Sequence, residues 1–97
     1  MERYRSVWDA IEDTPGEAVN MRLRSALLAK IASQAKAWRV GREDAARRLG
    51  VTLPRLDELM GGRINRFSLD DLVSLSVSAG LRLELEIEDA KEVAAGV

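Results

Sequence analysis

The stretch that decides the fold reads VGREDAARRLGVTLPRLDELMGGR and spans residues 40–63. Arg42 to Leu49 has the pattern of a short helix with Ala45, Ala46 and Leu49 turned inward. Glu43 and Asp44 fall in its first turn, where the helix dipole favours acids. Gly50 suits the residue after a helix, because it is free to take a positive φ. Val51 packs, and Thr52 can cap a second short helix that runs to Met60. Pro54 is tolerated there because it lies in the first turn, where a backbone N–H is not needed. Leu56, Leu59 and Met60 face a core, and Gly61-Gly62 ends the element.

Working outward, Thr14-Pro15-Gly16-Glu17 is a helix start: Thr14 caps, Pro15 takes the first helical position and Glu17 can complete a capping box. The long helix that follows extends to about Trp38. Val19, Leu23, Leu27, Ile31, Ala35 and Trp38 recur at spacings of three and four and predict a core-facing stripe. Arg22, Arg24, Lys30 and Lys36 lie largely off it. Downstream, Phe67-Ser68-Leu69-Asp70-Asp71-Leu72 marks another start, with Ser68 as cap, Asp71 as its acidic return partner and Phe67 with Leu72 as a hydrophobic staple. That helix passes through Leu72, Val73, Leu75, Ser76 and Ala79, and Gly80 closes it. Leu81 to Glu88 then alternates strictly, with Leu81, Leu83, Leu85 and Ile87 on one face and Arg82, Glu84, Glu86 and Glu88 on the other. This pattern predicts a strand. A lone strand leaves its backbone groups unpaired, so the same strand of a second copy is its simplest partner, in an antiparallel ribbon across a two-fold axis.

The chain of 97 residues is long enough for one domain. The expected division is an N-terminal segment 1–13, a domain 14–88 and a tail 89–97. With four aromatic residues (Tyr4, Trp8, Trp38 and Phe67) the core must be aliphatic. The absence of Cys and His excludes disulfides, Cys/His zinc sites, thiol nucleophiles and imidazole acid–base catalysis. No metal and no cofactor are expected, and without a phosphate-cradling Gly loop or a recognisable carboxylate pairing an enzyme is not expected either. No apolar run reaches membrane-span length and the first residues lack the apolar stretch of a secretory signal, so a cytoplasmic protein with no membrane partner is expected. The net charge is −1, but it is unevenly spread. Residues 21–38 carry four bases and no acid, and residues 39–66 carry seven bases against four acids. Both ends are acidic. A basic middle between acidic ends suits an anion-binding face with a differently charged partner surface elsewhere.

The order long helix, short helix, Gly turn, short helix, further helix is that of a mainly α helix-turn-helix bundle, here of four to five helices with the C-terminal strand pairing across a dimer. The second short helix of such a motif enters the major groove. Arg55, one turn into it, can reach a guanine edge or a phosphate. Arg42, Arg47, Arg48 and Arg63 around the motif are candidates for the DNA backbone. Thr52 is first a cap and second a phosphate ligand, and Leu53 can touch a thymine methyl. Solvated charge is the plain alternative for each arginine. In the N-terminal segment Tyr4, Val7, Trp8 and Ile11 share one helical face and either pack on their own domain or anchor a partner. Leu81, Leu83, Leu85 and Ile87 are the dimerisation candidates.

Residues 40–63 resemble the helix-turn-helix of the XRE, phage-repressor-like family, and within it the HigA-type antitoxins of bacterial toxin–antitoxin modules. Ser6-Val-Trp-Asp-Ala-Ile-Glu-Asp-Thr-Pro15 resembles their N-terminal segment, and Gly62-Arg-Ile-Asn-Arg-Phe-Ser-Leu-Asp-Asp-Leu72 the stretch after their recognition helix. The resemblance covers residues 7–88 and implies a repressor that binds operator DNA, regulates its own operon and neutralises a cognate protein toxin. Three positions depart from the family pattern. Gly41-Arg42 replaces the usual Thr-Gln, Leu53 replaces a Gln able to read adenine, and Asp57 replaces a small polar residue. These changes imply altered sequence preference or weaker DNA binding. They keep a second reading open, that of a protein-interaction module with weak or no specific DNA binding.

Overall fold

The computed structural model describes residues 14–89, and Tyr4, Val7, Trp8 and Ile11 lie outside them. Among the described residues, four α-helices and one 3-10 turn follow in order: α1 (Pro15–Ala37), α2 (Arg42–Leu49), α3 (Leu53–Met60), the 3-10 turn (Ile64–Arg66) and α4 (Leu69–Ser78). Each long element begins where its local chemistry requires. The Thr14 hydroxyl accepts the Glu17 N–H at 3.0 Å, with Pro15 in the first turn of α1. Ser68 and Asp71 form a reciprocal capping box at α4, each side chain accepting the other's backbone N–H at 3.0 Å. Phe67 and Leu72 bracket that cap and are both buried in the core.

α1 packs along α4, and the α2–α3 pair leans on both. Leu28, Ile31 and Ala35 of α1 meet Ala45, Ala46 and Leu49 of α2, Leu56 and Leu59 of α3, Leu72 and Leu75 of α4, and Ala79 just after α4. Ser76 is the buried polar residue among them, and its hydroxyl donates to the Val73 carbonyl at 2.6 Å. Two side chains of α1 fasten the connections. Arg24 donates to Asn20 at 2.7 Å and to the carbonyls of Ile64 and Phe67, both at 3.2 Å, holding the 3-10 turn against the helix. Gln34 donates to the Ala79 carbonyl at the end of α4.

The stripe expected on α1 is corrected in its first half. Val19 and Leu23 are exposed, and Leu28, outside the expected stripe, is buried in line with Ile31 and Ala35. Leu27 and Trp38 are half-buried against the core. The burying surfaces begin only near Leu27, so the first turns of α1 keep their apolar side chains in solvent among the described residues.

Residues 81–89 follow α4 without secondary structure, and among the described residues there is no strand. A strand is defined by its ladder, which a single chain with one alternating segment does not contain. Leu81 is half-buried against the core, whereas Leu83, Leu85 and Ile87 are exposed, the last two at 84% and 81%.

Candidate nucleic-acid interface

The site is the α2–turn–α3 unit. Its turn is set by Gly50, whose φ of 74° lies in the left-handed region. The Val51 N–H reaches back to the Ala46 carbonyl at 2.9 Å and the Gly50 N–H to the Arg47 carbonyl at 3.1 Å. This pair of bonds satisfies the last carbonyls of α2 and redirects the chain. Thr52 then takes extended geometry and its hydroxyl accepts the Arg55 N–H at 3.3 Å, so α3 starts at Leu53, three residues after Gly50. Leu56 and Leu59 lock the inner side of α3 into the core. The chain thereby builds two short helices in fixed relation, the second with an outer side free of the core.

A family model described as a helix-turn-helix domain matches residues 10–88. The chain belongs to that helix-turn-helix family. The motif is a DNA-binding one, in which the second helix sits in the major groove and the first crosses the backbone. In this helix-turn-helix those elements are α3 and α2. No curated protein matches the sequence. Among the described residues no helix is long and apolar enough to cross a membrane, and no group of His, Cys, Asp and Glu side chains could hold a metal ion.

The arginines singled out from the sequence fall into different environments. Arg42, at the start of α2, bridges to Asp57 on α3: its Nη2 donates to both carboxylate oxygens at 3.1 and 2.9 Å. Arg47 pairs with Asp44 one turn earlier on α2. Arg48 lies over the Trp38 ring, 5.0 Å from its centroid. Arg63, beyond the end of α3, is exposed and makes no ion pair among the described residues. Thr52 is engaged as the α3 cap, and Leu53 is half-buried against the core rather than fully presented to solvent.

Arg55 is the residue for which the structure adds most. Its guanidinium donates to the Arg66 carbonyl at 2.7 Å and pairs with Glu58 at 3.3 Å and Asp71 at 3.2 Å. It also stacks on Phe67, 4.0 Å from the ring centroid. Only 31% of the side chain is exposed. Arg66 pairs with the other oxygen of Glu58, closing a network that ties α3 to the cap of α4. Contact between Arg55 and a base requires giving up these partners. The Asp71 carboxyl is held below the usual carboxylate value, first by the Ser68 backbone N–H and then by the Ser68 hydroxyl; Arg55 adds to the lowering and burial works against it.

Two features of this surface have no simple sequence signal. The Arg42–Asp57 bridge spans two helices, and the Arg55–Asp71 pair spans sixteen residues. Arg24 fastens the connector behind the motif, and its only local hint is the Asn20–Arg24 spacing of four.

Proposed function

We propose that this helix-turn-helix protein is a sequence-specific transcriptional repressor that binds operator DNA as a homodimer and serves as the antitoxin of a toxin–antitoxin module. The observation that carries the DNA half is the fixed α2–Gly50–α3 unit, whose second helix has its inner side in the core and its outer side in solvent. Arg48 within that unit and Arg63 just beyond it are cations with no acidic partner among the described residues. They are suited to phosphate contacts, which position the protein without reading sequence. Dimerisation rests on the alternating segment 81–88, with Leu83, Leu85 and Ile87 exposed in the single chain. Two paired chains present two α3 helices to half-sites about one DNA turn apart. The antitoxin half rests on the resemblance to HigA-type proteins and on the acidic ends of the chain, which suit a basic toxin.

The test is a mobility shift with the DNA upstream of the protein's own gene, in excess competitor and over a salt series. Specific retention that weakens with salt supports the reading, and Arg63→Ala should lower the slope of log K against log salt by about one. Salt-independent binding contradicts phosphate contact. Co-expression with the neighbouring open reading frame tests the toxin: rescue from toxicity with a stable complex is the expected result.

A second reading, a protein-interaction module with little specific DNA binding, is favoured by one observation. Arg42, Arg47, Arg55 and Arg66 are all paired with acids of the same chain. It predicts a tight protein complex and only nonspecific DNA retention, and a sequence-specific shift in competitor excludes it.

A further inference from the structure

Of the eight residues of α3, only Pro54 and Asp57 are exposed. Pro54 has no polar side chain. Arg55 and Glu58 are engaged with each other and with Arg66 and Asp71. Asp57 is therefore the polar side chain that α3 presents to solvent, with 58% of it exposed. Its carboxylate is held by Arg42 from the first turn of α2, through two bonds from Nη2 and one from Nε at 3.4 Å. An ionised carboxylate offers about four acceptor sites on its two oxygens. Arg42 takes two on Oδ1 and one on Oδ2, which leaves acceptor capacity on Oδ2.

Chemistry then restricts what this carboxylate can meet in a major groove. Guanine shows only acceptors there, O6 and N7, and thymine shows an acceptor and a methyl group. Adenine offers its N6 amino group beside the N7 acceptor, which repels an anion. Cytosine offers the N4 amino donor with no acceptor of its own on that edge. The carboxylate also has to sit near phosphates. Arg42 answers that requirement, because the helix preceding the recognition helix crosses the backbone and its first-turn cation stands beside Asp57.

We propose that Asp57, oriented and partly neutralised by Arg42, reads a cytosine in each half-site and is the specificity-determining residue of α3. This rests on the DNA-binding reading above. If the pair is only a solvated surface bridge, of little worth in itself, sequence preference is indifferent to Asp57.

The experiment is selection from random-sequence duplex DNA with the full chain, with Asp57→Asn and with Asp57→Ala. The wild type is expected to enrich a two-fold symmetric motif with one cytosine per half-site, preferred by about tenfold, within the usual range for a single base-pair mismatch. Asp57→Asn should move that position to adenine, whose N6 and N7 an amide matches, and leave the rest of the motif unchanged. Asp57→Ala should abolish preference at that position alone. A wild-type motif that both variants reproduce overturns the proposal and leaves DNA binding standing. No enriched motif with the wild type overturns both. Both substitutions are on an exposed side chain, and unchanged thermal midpoints confirm that the readout is one of recognition.

Discussion

Replacing Arg55 by Ala separates the two roles that this side chain can have. Four interactions are lost together. The bond to the Arg66 carbonyl at 2.7 Å is charge-assisted and contributes about 1–2 kcal/mol once its partial exposure is allowed for. The stacking on Phe67 contributes about 0.5–1 kcal/mol. The pairs with Glu58 and Asp71 are partly exposed and contribute about 0–1 kcal/mol each. Freeing a long side chain returns about 1 kcal/mol of rotamer entropy. The net loss is about 2 kcal/mol. In a domain of this size it lowers the thermal midpoint by roughly 8–16 °C. Urea denaturation followed by circular dichroism, at one fixed protomer concentration because assembly contributes to stability, measures it. Arg55→Lys should recover less than half, since one ammonium cannot reproduce a planar fork on three acceptors and a ring face. Stability unchanged within about 0.5 kcal/mol, together with lost operator binding, would refute the reasoning and return Arg55 to the role of base reader.

Three further outcomes are expected. Gly50→Ala should cost about 1 kcal/mol in the same denaturation assay, because the left-handed φ strains any L side chain although there is nothing within 4 Å for the new Cβ to meet. Asp71 is held below its ordinary value in the folded chain, so its contribution is present above the unfolded Asp pKa of about 3.9 and is lost as pH falls through the lower folded value. The stability gap between wild type and Asp71→Asn should accordingly close as the medium is acidified below about pH 4, and a gap that persists there contradicts the assignment. Leu85→Asp with Ile87→Asp places charge on the exposed face of residues 81–88 and should yield a monomer by sedimentation velocity, with the thermal unfolding of α1–α4 still cooperative; a persistent dimer refutes strand pairing.

The elements were legible in the sequence wherever the deciding chemistry is local. Thr14, Thr52 and Ser68 announce caps because a cap involves residues three apart, and each of those bonds is present. Gly50 announces the turn because few other residues take its φ. The α1 stripe was legible only from Leu27 onward. Periodicity says which residues share a face but not how far along a helix its neighbours extend, and Val19 and Leu23 fall where no described element covers them. The site was less legible than the fold. Spacing placed Arg55 on α3 but could not show Arg66, Asp71 and Phe67 gathering around it, since that depends on how α4 packs. Asp57 stood out in the sequence only as an acid where the family pattern has a small polar residue. Its bridge to Arg42 gives that acid a cation and a fixed direction.

On the proposed function, α3 of each paired chain lies in the major groove of a specific DNA site. Hydroxyl-radical and guanine-methylation footprinting on the DNA upstream of the gene tests it most directly. Two protected major-groove segments about one helical turn apart are expected, related by a two-fold axis and lost in the Leu85→Asp, Ile87→Asp variant. Retention of DNA without any discrete footprint would contradict it.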